Sequence, residues 1–214
     1  MDKAMKILAL GIIFLLQPVI ASGEEGKQSG KRDATIEVFA KYQYTGFGGE
    51  SLLEMTGSGV DAGVRVFGNS NARLGFGLQF GTFRHETQFS QNDRINGADA
   101  NSLDGVGWTL TGDVYHRLLS EEIQPYLFYG LGCIYKKHAY HFQSAPDFQK
   151  KILTPAIDVG VGVRFPVAGR LYIVPEARLL FSPFNHAMGM DTSHRTKFVL
   201  GNIGVGITYV IVKQ

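Results

Sequence analysis

Eleven ionisable residues recur at alternate positions within strand-like segments of this chain, and their types define the chemistry open to them. The acids are Glu37, Asp61, Asp113, Asp158 and Glu176; the bases are Lys41, Arg65, Arg73, Arg117, Arg164 and Arg178. Carboxylates and guanidiniums in near-equal number can form forked, charge-assisted hydrogen bonds. In a low-dielectric interior each of them needs such a partner. Two uses compete: a network that satisfies its own charges and plugs a lumen, or a polar path that opens by rearranging its pairs. Asp158 and Arg164 stand six residues apart in one segment, roughly 20 Å at the rise of a strand. Each must therefore find its partner on another segment, and for Asp158 the candidates are Arg178 and Lys41.

Other chemistries are weaker. His138-Ala-Tyr-His141 offers two imidazoles for a metal, without an acid or thiol beside it in the sequence. Phe184-Asn185-His186 and Ser193-His194 offer a serine or histidine of the kind a lipid-modifying barrel enzyme uses, but in no recognisable motif. The Gly-x-Gly pairs at Gly130, Gly160 and Gly204 open no helix and are not phosphate loops. Neither enzyme chemistry, a metal nor a cofactor is expected.

The elements that position the charges are strands. In IDVGVGVRF (157–165), Ile157, Val159, Val161, Val163 and Phe165 take one face, and Asp158, Gly160, Gly162 and Arg164 the other. Such strict alternation marks a strand whose two faces meet different solvents. The pattern recurs over residues 34–46, 58–67, 71–83, 105–117, 124–136, 170–182 and 197–211, making eight strands. Every charge inside them except Lys197 falls on the second face. Glycines on that face make room for large neighbours across a narrow lumen. Toward the outer end, the inward residues Ile134, Leu180, Phe198 and Leu200 suggest an apolar vestibule above a charged floor.

On the apolar face, Tyr42, Tyr44, Phe80, Trp108, Tyr135 and Phe181 gather toward one end, with Phe165 and Tyr209 toward the other. Two aromatic girdles flanking an aliphatic band are what membrane interfaces select. Connections near 47–57, 84–104, 137–152 and 183–196 are long and polar; those at 68–71, 118–123 and 166–169 are short. An even number of strands closed on itself leaves no unpaired edge in lipid. The expected fold is all-β: an eight-stranded antiparallel up-and-down transmembrane barrel over residues 34–214.

The N-terminus supports export. Lys3 and Lys6 precede an apolar run from 7 to 16, broken by Gln17-Pro18, with small residues near Ala21. This is the pattern of a cleaved signal peptide over residues 1–21, too short to span a bilayer. Residues 22–33 read as a polar periplasmic lead-in. Of 214 residues, 27 are glycine and one, Cys133, is cysteine, so no internal disulfide is available. The formal charge is +2, which points to no polyanionic partner such as nucleic acid.

The segments GVDAGVRVFG, QPYLFYGLGCIY, IDVGVGVRF and YIVPEARLLFS together resemble the small outer-membrane barrels of the OmpA transmembrane-domain, OmpX and OmpW types, over residues 34–211. Gly206, Tyr209 and Ile211 are similar to the C-terminal signal read by the barrel assembly machinery, although the chain runs on to Gln214. The resemblance implies the outer membrane of a diderm bacterium, with membrane lipid and that machinery as partners. The OmpW type is favoured by single-domain length and the apolar vestibule. It implies a narrow, porin-like conduit for small hydrophobic or amphipathic molecules. The alternative is a surface barrel with a closed lumen, whose loops bind partners. Loop 84–104, with Arg84, His85, Glu86, Asp93, Arg94 and Asp99, is the segment to test for that.

Overall fold

A computed structural model describes residues 34–49, 55–68, 72–88, 94–95, 98–119, 122–142, 146–182 and 198–212. The expected signal peptide, the lead-in and the 183–196 connection, with His186, Ser193 and His194, lie outside the described residues. The strands are β1 (Thr35–Gly49), β2 (Met55–Phe67), β3 (Leu74–Gln88), β4 (Arg94–Ile95), β5 (Ala98–Arg117), β6 (Gln124–Phe142), β7 (Phe148–Ala168), β8 (Leu171–Ser182) and β9 (Phe198–Val212). β4 is only two residues long and pairs with the start of β5. The other eight form a closed antiparallel barrel, each paired with its neighbours in sequence, β3 with β5 and β9 back with β1.

The register fixes the barrel's shape. From Glu37, successive partners are Arg65, Gly77, Asp113, Gly130, Asp158, Leu180 and Leu200, and the circuit returns to β1 at Phe47, ten residues from its start. Eight strands with that stagger tilt by roughly 40° and enclose a radius of about 8 Å. A lumen this narrow is filled by its own side chains.

Alternation divides the residues as the two faces require. Ile203 is 71% exposed and Val161 59%, both facing outward, whereas Asp158 is 0% and Arg65 2% exposed inside. This reverses the distribution of a water-soluble protein, in which paired charges are rarely buried and large apolar patches rarely face solvent. Two lumen glycines show why the small residue is needed. A methyl group on Gly160 would run into the Phe128 ring, and one on Gly162 into the Tyr126 ring. The β7–β8 turn uses a third glycine differently: Gly169 has φ 53°, a left-handed conformation that glycine adopts without steric cost.

Strand lengths differ from expectation at the outer end. β5, β6 and β7 run to 20, 19 and 21 residues, taking in much of what the sequence pattern assigns to loops 84–104 and 137–152. β8 has 12 residues. Among the described residues the wall stands tallest over β3, β5, β6 and β7. The extra length lacks the apolar alternation of the lipid-facing band: its outward face carries Arg84, Lys137 and Lys151, and its inward face buries His85 and His138.

Candidate functional site

The lumen is built in layers. At the inner end, Glu37 pairs with Arg117 and, at 2.8 Å, with Arg164. Arg164 also donates to Gln124 Oε1 at 2.9 Å. The Arg117 guanidinium lies 3.6 Å from the Phe67 ring centroid and that of Arg164 4.1 Å from Tyr172. These contacts offset desolvation through the ring quadrupoles.

Above this floor, Phe67, Tyr115, Tyr126, Phe128 and Val174 form a buried cluster. Arg65 passes through it, 4.2 Å from the Phe39 centroid and 4.5 Å from that of Tyr115. It reaches Glu176 Oε2 at 2.8 Å, where Tyr126 also donates at 2.7 Å. Lys41 neutralises the other Glu176 oxygen and lies 3.3 Å from Asp61.

Arg178 organises the middle of the lumen. Its Nε donates to both Asp158 oxygens at 2.9 Å, its Nη2 to Thr111 Oγ1 at 2.6 Å, and its Nη1 lies 3.4 Å from Asp61. Asp61 also accepts from Gln43 Nε2 at 2.7 Å and from Gln79. Thr111 passes its own hydrogen to Asp113 at 2.9 Å. Of the two candidates for Asp158, the partner is Arg178, while Lys41 serves Asp61 and Glu176. Ten of the eleven ionisable residues are buried, five acids and five bases. The exception is Arg73, which is exposed. It precedes the first residue of β3, so its side chain lies at the rim, while its carbonyl accepts from the Arg117 amide at 2.7 Å.

Three of the four residues expected around the apolar vestibule meet inside the lumen. Ile134, Leu180 and Leu200 are each 0% exposed and Ala156 is 3% exposed. Four adjacent strands, β6 to β9, bring them to nearly one level, a convergence that depends on register. The side chain of Phe198 lies outside the described residues. Nor does the apolar character continue outward. Beyond this layer, Thr154 meets Ser182 at 2.6 Å, and His85, His138 and Lys136 are all buried. The His85 and His138 rings stand edge-on, 5.2 Å apart.

His138 and His141 lie on opposite faces of β6, so they cannot share a metal. His141 instead sits on the outer rim, 2.8 Å from Asp147 and 3.5 Å from Asp104. It is six residues beyond Tyr135, outside the aromatic belt, and its hydrogen bond to Asp147 raises its pKa above the usual histidine value.

The eight aromatic residues expected in the girdles carry the outward phase, with Tyr42, Tyr44, Phe80, Phe165, Phe181 and Tyr209 exposed and Trp108 and Tyr135 half-buried. Phe80 stacks on Trp108 at 6.4 Å, and Trp108 on Tyr135 at 5.6 Å. Allowing for tilt, Trp108, Tyr135 and Phe181 share a level to within about two residues, Tyr44 lies just below, and Tyr42 and Phe80 lie about three to five residues deeper. The outer group is therefore a graded belt rather than one ring. Counting from strand ends misses this, because level depends on stagger. From Phe165 and Tyr209 to Tyr135 the apolar band is roughly 25 Å tall along the axis.

Comparison with family models and with curated proteins gave no match. Solved structures are similar across the whole barrel. Ail, the attachment invasion locus protein of Yersinia pestis, in complex with the heparin analogue sucrose octasulfate, aligns with TM-score 0.54 and 14% identity over 84% of this chain and 99% of its own. Neisserial surface protein A gives 0.54 and 14% over 81% and 96%. A major outer membrane protein from Thermus thermophilus gives 0.55 and 15% over 83% and 99%. This chain has the fold of the small outer-membrane β-barrels. At this identity the likeness lies in architecture, and the side chains of the lumen must be read for themselves.

Alternation in the sequence is enough to mark the ten buried charges as inward. It does not mark Gln43, Gln79, Thr111 and Tyr126 as their ligands, although all four carry the inward phase and a polar group. The sequence reading puts His85 in loop 84–104 and His138 in a metal pair and passes over Lys136, whereas the structure buries all three inside the barrel on β3 and β6. Their signal was the continuation of the same parity.

Proposed function

We propose that this chain is an integral outer-membrane barrel with a sealed, ion-paired lumen that acts at its outer rim, binding surface partners through the tall wall and the connections above it. The observation that carries this reading is the filled cross-section. The aromatic cluster, the charge network and the Ile134–Leu180–Leu200 layer are stacked one above another, each buried. A conduit would have to break at least two of these layers together, including forked pairs of low-dielectric charge. The OmpW-type expectation of a hydrophobic conduit leans on an open vestibule, whereas Ile134, Leu180 and Leu200 have no exposed surface. Ail, the attachment invasion locus protein, is a surface barrel of similar architecture and agrees with a role at the rim.

The apolar band of roughly 25 Å matches the lipid-facing height of such barrels, which supports insertion in the outer membrane. The leader pattern at residues 1–21 fits export to it. The test is planar-bilayer recording on protein first shown to be folded by its heat-shifted gel mobility. The expected result is no steady conductance, with or without a long-chain amphiphile present. Steady single-channel events blocked by that amphiphile would favour the conduit. Replacing residues 89–97 with a short glycine-serine link should abolish attachment of expressing cells to a surface and leave the folded band intact; unchanged attachment would count against the rim.

A further inference from the structure

The outward face of the tall wall is banded. Register places Thr82, Trp108, Tyr135 and Leu153 in one lateral row across β3, β5, β6 and β7. The next outward-facing row is Arg84, Val106, Lys137 and Lys151. The row beyond that is Glu86, Asp104, Ala139 and Gln149. Given a strand rise of about 3.3 Å and the barrel's tilt, Arg84 is about level with Trp108 and Tyr135, while Lys137 lies about 5 Å and Lys151 about 8 Å outward of Tyr135. The two lysines thus stand at about the depth of the headgroup region, which adds about 5–7 Å to each side of the hydrocarbon.

Two features of the row point to an anion. Lys137 and Lys151 are directly opposite each other, an arrangement that brings Cβ atoms to about 5 Å and destabilises a sheet when nothing intervenes. Among the described residues, none of the three cations is in an ion pair with a carboxylate, while Asp104 in the acidic row is taken by His141. Arg84 and Lys151 are exposed and Lys137 is half-buried, so all three are open to the surroundings. Arg84 stands two strands from Lys137, roughly 10 Å at the spacing of paired strands.

We propose that Arg84, Lys137 and Lys151 form a binding site for the phosphate groups of the glycolipid headgroups that surround the outer end of the barrel. The site rests on the membrane-inserted reading above. The aromatic belt fixes the depth of the lipid, Lys137 and Lys151 offer two ammonium groups outward of it, and Arg84 offers a fork on a long side chain rooted at the belt itself. A phosphate between Lys137 and Lys151 removes their mutual repulsion, so binding adds to barrel stability by linkage.

The experiment refolds the protein into phosphatidylcholine vesicles and into the same vesicles carrying lipopolysaccharide. It reads the temperature at which the folded gel band converts to the unfolded one. Lipopolysaccharide is expected to raise that temperature by about 5 °C, and dephosphorylated lipopolysaccharide to leave it unchanged. The variant R84Q/K137Q/K151Q should lose the shift, while R84K/K137R/K151R, which keeps the charges, should retain it. A full shift in the glutamine variant, or with dephosphorylated lipopolysaccharide, would overturn the site. A full shift in phosphatidylcholine vesicles from inorganic phosphate or sucrose octasulfate would overturn the lipid as its source. If the glutamine variant fails to fold, Lys151→Gln alone should halve the shift, and an undiminished shift there would equally overturn the site. Failure of the wild type to give any heat-shifted band in vesicles would instead sink the membrane reading itself.

Discussion

Arg178 reaches Asp158, Asp61 and Thr111 at once in the middle of the lumen. Removing it leaves buried Asp158 without its cation, while Asp61 keeps Lys41, so Arg178→Ala should cost about 3–5 kcal/mol in urea unfolding from vesicles. Asp113 differs. At mid-lumen four acids, Asp61, Asp113, Asp158 and Glu176, face three bases, Lys41, Arg65 and Arg178, and the hydrogen bond to Asp113 comes from neutral Thr111. Asp113→Asn keeps an acceptor for that hydroxyl and removes the excess charge, so it should change stability by less than about 1 kcal/mol. A loss comparable to that of Arg178→Ala would mean that Asp113 belongs to the charge balance after all. On the rim, His141 titrates above its ordinary value because Asp147 accepts its hydrogen bond. A raised pKa means that the contact is fully present below the ordinary histidine value and is lost as pH rises through the raised one. The His141 ring titration followed by NMR should shift down in Asp147→Asn, and an unchanged midpoint would contradict the contact.

At the scale of the strands, the sequence is legible only where the two faces meet different solvents. In β7 the alternation from Ile157 to Phe165 gives strand, face and inward charge without ambiguity. The same strand's first residues, Phe148 to Ala156, carry no apolar period on their outer side, and their pairing with β6 has no signature in composition. Register is likewise hidden. Nothing in the sequence says that Leu180 pairs with Asp158 and Leu200, yet that pairing brings the expected vestibule residues together inside the lumen and spreads the aromatic belt over several levels. Arg73 shows a smaller failure, since parity continues past the end of a strand while the lumen does not. The outer extension should behave as paired but wet backbone. Amides of Leu127–Ile134 in β6 should resist hydrogen exchange for days. Those of Ala139 and Tyr140, still paired with β5 and β7, should exchange within hours. Exchange at 139–140 as fast as in an unfolded chain would contradict the extended wall.

For the whole molecule, charge is buried, apolar surface is exposed, and the lumen is packed from floor to seal. With no internal disulfide available, closure of the barrel and its ion-paired interior are what hold it together. On the proposed reading the function belongs not to the bore but to the rim, where a basic row and an acidic row stand on the outward face. The most direct test of this account is the water accessibility of the seal. In a Cys133→Ser background, a cysteine placed by Leu180→Cys is exposed to a membrane-impermeant thiol reagent in folded, vesicle-inserted protein, with Leu119→Cys at the exposed turn region as the reactive standard in detergent. The account predicts no labelling at position 180 until the barrel is unfolded; labelling in the folded barrel at a rate near that of position 119 would show an open lumen and contradict it.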